Sequence, residues 1–212
     1  MTEFRDELQA ALNETLPGYT AQKRMAPSGR SILPPGNPGR KAAVAIVIYK
    51  DQNQNKKIVL IKRPVYSGPH SGQIAFPGGK MDPEDSDLVG TAIRECYEEI
   101  GIQLTASNYI GPLSPLHISV SSFLVHPYIF LLDLFPVFKP NEKEVIYLIH
   151  VALTDLLDEG LVKETLMGIR NEEIVVPYYD IQNEIVWGAT AIMLAEFIAI
   201  LKKIDTKNPG LI

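Results

Sequence analysis

The chain has 212 residues, 46% apolar and 21% charged, with 20 basic against 25 acidic side chains and a formal charge of −5. This composition excludes a disordered, collagenous or coiled-coil chain, and the acidic balance argues against broad electrostatic binding to nucleic acid or an anionic membrane. A single cysteine, Cys96, excludes an intrachain disulfide, and the length predicts one domain with extensions, or two small ones, able to bury a core without staples.

Residues 3–16 place Phe4, Leu8, Ala11, Leu12 and Leu16 at helical spacing, and Pro17-Gly18 ends that helix. The opening seven residues are charged and lack an apolar signal core, so the protein is expected to be soluble and cytoplasmic. Residues 17–40, rich in proline and glycine, read as a long extended connection. An apolar run at 42–49, a polar turn at 51–55 and a second run at 57–62 predict a hairpin. From 63 to 85 the chain is dense in Gly, Pro, Ser and His, and a loop of that length inside a compact domain is usually functional. A helix is predicted over 87–100 with Gly101 as its stop residue.

Strands are expected near 108–116, 121–133 and 144–151. The apolar stretch at 118–138 is interrupted by Ser119, His126, Pro127, Asp133 and Pro136, so it reads as adjacent strands and not as a membrane span. Thr154 is the expected N-cap of a short helical turn. Short strands at 174–179 and 184–187 precede a last helix over 188–204. Strands and helices mix without regular alternation, which predicts one α/β-layered domain with a mixed sheet.

The most informative segment is Arg94-Glu95-Cys96-Tyr97-Glu98-Glu99-Ile100-Gly101. On a helix Glu95 stands three residues before Glu98 and four before Glu99, so the three carboxylates share a side, while Val89, Ile93, Cys96 and Ile100 fall on another. Like charges at that spacing cost about 0.2–0.5 kcal/mol in an isolated helix, and the helix dipole disfavours anions in its last turn. A divalent cation would account for the cluster, since hard cations take carboxylate oxygens and share sites with phosphates. The alternative is a solvated acidic face paired with lysines and arginines. Phe76-Pro77-Gly78-Gly79-Lys80, one loop earlier, carries paired glycines that let backbone approach a ligand.

Gly79 through Ile102 resembles the signature of the Nudix hydrolases, Gly-x5-Glu-x7-Arg-Glu-apolar-x-Glu-Glu-x-Gly-apolar. Gly79, Arg94, Glu95, Cys96, Glu98, Glu99, Gly101 and Ile102 occupy motif positions; Asp85 stands where the first Glu belongs, and one extra residue separates it from Arg94. The stretch from Val59 to Gly79 is similar to an additional motif of the coenzyme A diphosphatase branch: Arg63, Gly72 and Phe76-Pro77-Gly78-Gly79 match, whereas Ile61, Pro64 and Gly68 differ, Gly68 standing where that branch has Arg.

The resemblance implies an α/β (α+β) fold, an α/β/α sandwich with a mixed β-sheet and an added N-terminal helix. Residues 1–40 are then a helical and Pro/Gly-rich extension, and 41–212 the hydrolase domain. It implies a Mg²⁺- or Mn²⁺-dependent hydrolase that cleaves the diphosphate of coenzyme A or its derivatives to 3′,5′-ADP and 4′-phosphopantetheine. The alternatives are another nucleoside diphosphate derivative (NADH, ADP-ribose, a nucleotide sugar) or a non-catalytic nucleotide-binding module. Expected metal ligands are Glu95, Glu98 and Glu99. Glu98 is also a water-activating base, and Arg94 braces the carboxylates. Arg63, His70, Gly78 and Gly79 are expected at the substrate. Asp85 as a further ligand and Glu142 or Glu144 as a late acidic group stay open, as does a homodimer. Cys96 and Trp187 read as packing residues, and His117, His126 and His150 as structural.

Overall fold

The computed structural model describes residues 1–28, 39–68, 70–119, 121–169 and 172–212. Among the described residues four helices, α1 (Thr2–Asn13), α2 (Gly18–Gln22), α3 (Leu88–Ile100) and α4 (Gly188–Lys207), accompany eleven strands. The first eight are β1 (Arg40–Lys50), β2 (Lys56–Lys62), β3 (Ile74–Ala75), β4 (Gly78–Lys80), β5 (Tyr109–Pro112), β6 (Leu116–Ile118), β7 (Phe123–Leu131) and β8 (Tyr147–Ala152). They form one mixed sheet. The last three, β9 (Val162–Ile169), β10 (Glu172–Ile181) and β11 (Glu184–Trp187), form a separate antiparallel sheet in the order β11-β10-β9.

β1 is the axis of the larger sheet. It runs parallel to β7 along one edge; on the other its C-terminal end pairs with β2 and its N-terminal end with β4, both antiparallel. Side chains alternate across a strand. Ala42, Ile46 and Ile48 therefore enter one apolar cluster, and Ala43, Ala45, Val47 and Tyr49 the opposite one. β2 repeats the pattern, with Ile58 and Leu60 on the first face and Val59 and Ile61 on the second. A sheet buried on both faces needs unbroken apolar runs, which is why both strands are legible from composition alone. α3 covers the second face through Ala92, Cys96 and Ile100. α4 and α1 cover the first, with Phe4, Leu8 and Leu12 packed in the same cluster as Phe197, Leu201 and Ile204. The α/β/α layering follows from that division.

Several expectations need correction. Residues 17–40 do not open as an extended connection: α2 and a 3-10 turn at Lys23–Met25 come first, burying Ala21, Gln22 and Met25. The prolines and glycines between 29 and 38 lie outside the described residues. The 63–85 segment contains β3 and β4, the latter hydrogen-bonded to β1, so the glycine pair sits in a strand. Thr154 does stand at the N-cap of a short turn, the 3-10 turn Asp155–Leu157, but its side chain makes no cap bond; Asp158 caps the following turn at Glu159–Leu161, accepting from the Gly160 N–H. β9 was not read from sequence, because half-exposed Val162 and Leu166 alternate with charged Lys163 and Glu164 in no clear two-residue pattern. Among the described residues no helix is long and apolar enough to cross a membrane.

The N-terminal segment is tied to the body by a fully buried carboxylate. Glu196 of α4 accepts from the Gly18 N–H at 3.1 Å, Gln22 Nε2 at 2.9 Å and the Ser114 hydroxyl at 2.7 Å. A buried carboxylate persists only when its hydrogen-bonding capacity is met, and here α2 and the segment at Ser114 meet it together. Glu196→Ala strands these donors in the interior and is expected to lower unfolding free energy by about 3 kcal/mol, measured by urea denaturation.

Candidate active site

α3 positions the acidic cluster. Asp87 caps its N-terminus by accepting from the Gly90 N–H at 2.7 Å, and Gly101 ends it in the left-handed region at φ 71°. A Cβ at Gly101 would lie 2.6 Å from the Lys139 Cβ, so the stop residue is sterically required as well. With both ends and the Ala92–Cys96–Ile100 face fixed, Glu95, Glu98 and Glu99 point together into a cavity of about 780 Å³.

The three carboxylates sit at different depths. The Glu99 side chain is only 2% exposed, Glu95 16% and Glu98 48%. Burial pushes the Glu99 carboxyl up to about 7, with Arg63 and the Gly78 N–H opposing that rise and Glu95 and Glu144 adding to it. Burial also raises Glu95, opposed by Arg94. Glu99 is held at one oxygen by the Gly78 N–H at 2.8 Å and at the other by Arg63 at 3.1 Å. Arg63 in turn donates to the Gly78 carbonyl at 2.8 Å.

Arg94 braces the cluster by a wider set of contacts than the sequence suggests. It grips Asp85 with two parallel bonds, Nε to Oδ1 at 2.9 Å and Nη2 to Oδ2 at 3.0 Å. Its Nη1 reaches Glu95 and Glu98, each at 3.0 Å. This fork holds Asp85 well below the usual carboxylate range, with help from the Asp82 N–H and the Thr91 hydroxyl. Asp85 is therefore occupied as a clamp on Arg94, and it does not line the cavity.

The two glycines have different physical roles. A Cβ on Gly78, whose φ is 153°, would lie 2.4 Å from the Ala43 carbonyl and 2.6 Å from the Val44 Cα, so β4 could not pair with β1. A Cβ on Gly79 would fall 2.5 Å from the Glu95 carboxylate itself. Gly78 permits the strand, and Gly79 leaves the space that Glu95 uses.

His70, at φ 65°, lines the cavity and bonds Gln73 at 3.1 Å and the Ser121 hydroxyl at 3.4 Å, which joins the loop after β2 to the turn before β7. Glu144 lines the cavity, whereas Glu142 does not. Cys96 is fully buried. His117, His126, His150 and Trp187 stay out of the cavity; His126 stacks on Tyr128, and His150 bonds the Tyr49 hydroxyl at 2.6 Å. Sequence reasoning missed the apolar end of the site, formed by Ile118 of β6, Phe123 and Val125 of β7, and Ala189 and Met193 of α4. The alternation along β7 carries a signal for Phe123 and Val125, but nothing local brings α4 to them.

Among the described lining residues, five carboxylates and four cationic side chains face the cavity, so its own charge does not attract a polyanion. Also among the described residues, no three acidic, histidine or cysteine side chains are already gathered as a metal-ligand set; arginines hold the glutamates instead.

The glycine roles separate experimentally. Gly78→Ala is expected to lose about 2 kcal/mol or more of stability, because its new methyl meets backbone. Gly79→Ala is expected to melt near the parent temperature yet lose most activity, because its methyl displaces only the Glu95 side-chain end. Thermal melts paired with hydrolysis assays check both.

The NUDIX domain model matches residues 39–174. Proteins named uncharacterized Nudix hydrolase NudL are similar to this chain. That of Yersinia enterocolitica is 36% identical over 139 residues, covering 65% of this chain and 70% of the relative. That of Yersinia pestis is 33% identical over 159 residues, covering 73% and 76%. Among solved structures, a MutT/nudix family protein from Enterococcus faecalis superposes with a TM-score of 0.52 at 13% identity, over 83% of this chain and 66% of that one. A matched span of more than half the chain, carrying the glycine pair, the bracing arginine and all three glutamates, places this protein in the Nudix hydrolase family.

Proposed function

We propose that this chain is a Mg²⁺- or Mn²⁺-dependent hydrolase of the diphosphate bond in coenzyme A or its derivatives, releasing 3′,5′-ADP and 4′-phosphopantetheine. The observation that carries the proposal is the set of three carboxylates that one helical turn delivers to a single cavity, two of them with protonation favoured by burial. The donor set fits a hard dication: all oxygen, graded from buried Glu99 to half-exposed Glu98, with the Gly79 position left without a Cβ where the Glu95 carboxylate lies. Such an ion, bound there, would polarise the phosphoryl oxygens and lower the pKa of water.

The chain's own residues divide the remaining work. Glu98, the most exposed of the three, accepts the proton of the attacking water. Glu144, which lines the same cavity, is the alternative acceptor. Water bonds to one phosphorus, and the bridging oxygen leaves with the other phosphate. Arg94 keeps Glu95 and Glu98 aligned while anchored on Asp85. Arg63 and His70 line the cavity as phosphate or nucleotide contacts, and Ile118, Phe123 and Met193 receive the apolar part of the substrate. Residues 1–40 act as an extension to the hydrolase domain at 41–212, a boundary supported by a family match that begins at residue 39.

A second reading, hydrolysis of another nucleoside diphosphate derivative, is favoured by Gly68. This position has no side chain where the coenzyme A branch has an arginine, and it lies against the half-exposed Tyr66 ring. A substrate panel with product identification by mass spectrometry decides. Coenzyme A is expected to be cleaved to both named products only with Mn²⁺ or Mg²⁺, and much faster turnover of NADH or ADP-ribose would transfer the assignment. Glu95→Gln and Glu99→Gln are expected to fold and to lose about 100-fold or more in turnover. Normal rates in both would refute the metal reading.

Metal must displace the proton that burial favours on Glu99. Mn²⁺ affinity of the metal-free protein is therefore expected to rise as pH climbs toward and through about 7, and to level off above it, as read by titration across neutral pH.

A further inference from the structure

Thr91 stands near the start of α3 and is fully buried, so its hydroxyl must find a partner inside the protein. Two acceptors lie within reach, Asp85 Oδ2 at 2.8 Å and the Asp87 carbonyl at 3.2 Å. A threonine hydroxyl has one hydrogen to donate, and the nearer, charged acceptor makes the stronger bond. Asp85 in turn carries the fork to Arg94, which reaches Glu95 and Glu98. Asp82, Pro83, Glu84 and Ser86 around Asp85 are exposed. The Asp82 N–H donates to Asp85 Oδ2 at 2.8 Å and the Asp85 N–H to the Asp82 carbonyl at 3.1 Å, but both bonds stay within the loop and move with it. Among the described residues, the Thr91 hydroxyl is the side-chain donor other than Arg94 that ties this carboxylate to a helix.

We propose that Thr91 is a positioning residue for hydrolysis: its hydroxyl fixes Asp85 to α3, so that the Arg94 fork presents Glu95 and Glu98 in one arrangement. This rests on the reading of those glutamates as the working carboxylates. Thr91 precedes Arg94 by three residues and Glu95 by four, so it holds the anchor of the fork in the same helical frame as the acids that the fork aligns. Asp85 is one methylene shorter than the glutamate of the signature and one residue further from Arg94, and the hydroxyl keeps that shorter acid against the helix. Removing the hydroxyl leaves both fork bonds possible but lets the Asp85 carboxylate follow an exposed loop. Glu95 and Glu98 then spread over more arrangements, of which fewer are productive. The effect falls on turnover and not on ground-state binding, because Thr91 and Asp85 both stand outside the cavity lining.

Thr91→Val fills the same space without the hydroxyl. It is expected to lower kcat on the order of tenfold, with KM within about twofold of the parent. A second readout needs no turnover: exchange of the Arg94 Nε–H with water, followed by nitrogen-15 NMR on the full chain without added metal or substrate, the signal being identified by its loss in Arg94→Lys. That exchange is expected to speed up several-fold in Thr91→Val, because the Nε–H bonds to Asp85. Thr91→Ser keeps the hydroxyl and is expected to recover most of both losses. In an Asp85→Ala background Thr91→Val is expected to add no further loss of kcat, since the hydroxyl acts through that carboxylate. If Thr91→Val does not fold, Thr91→Ala carries the same measurements. A variant that lowers the melting temperature but leaves kcat and the exchange rate unchanged makes Thr91 a packing residue and overturns the inference. So does Thr91→Ser as impaired as Thr91→Val, or an undiminished further loss in the Asp85→Ala background. Each of these outcomes leaves the hydrolase reading intact. Parent protein that cleaves none of the diphosphates in the substrate panel removes that reading, and the inference with it.

Discussion

The site depends on one buried ion pair. Glu99 is almost wholly removed from water, and a carboxylate there would tend to take up a proton. Arg63 and the Gly78 N–H oppose that uptake without cancelling it, and hold the side chain in place. That triangle links three segments far apart in sequence: the end of β2, the start of β4 and the last turn of α3. None of the three could be set independently. Moving β4 withdraws the amide, moving β2 withdraws the guanidinium, and moving α3 withdraws the carboxylate.

The larger sheet supplies the rigidity on which this triangle stands. β1 reaches from the hairpin turn to the cavity and distributes its side chains to two separate cores. Its N-terminal end pairs with β4 at Ala42–Lys80, Ala43–Gly79 and Val44–Gly78, so the glycine pair is registered against the strand least able to shift. Close approach is possible because Gly78 has no Cβ. Loss of a side chain at that point thus creates the site, by bringing the Gly78 amide within reach of Glu99.

Electrostatic work is divided between two arginines. Arg94 is a spacer: anchored on Asp85, it holds Glu95 and Glu98 side by side. Arg63 faces the cavity and neutralises from the front. A cluster of acids in the final turn of a helix opposes the helix dipole as well as itself, and the two guanidiniums are what make it tolerable in the folded chain. Ile118, Phe123 and Met193 add apolar surface to the same cavity.

Much of this was legible in the chain itself. Unbroken apolar runs marked β1 and β2, helical spacing marked α1, α3 and α4, and the glutamates at three- and four-residue intervals had to share a helix face wherever the helix was placed. Gly101 as a stop and Cys96 as a core residue followed from the same periodicities. Tertiary structure alone decided the rest. It gave Asp85 to Arg94, placed Glu144 and not Glu142 in the cavity, and brought α4 over β7 to close the apolar end. It folded part of the proline-rich segment into α2 and tied it to Glu196. The reason is physical: periodicity along a chain reports which face of an element is buried, whereas an ion pair between residues 36 positions apart depends on how separate elements pack, and no local pattern encodes that distance.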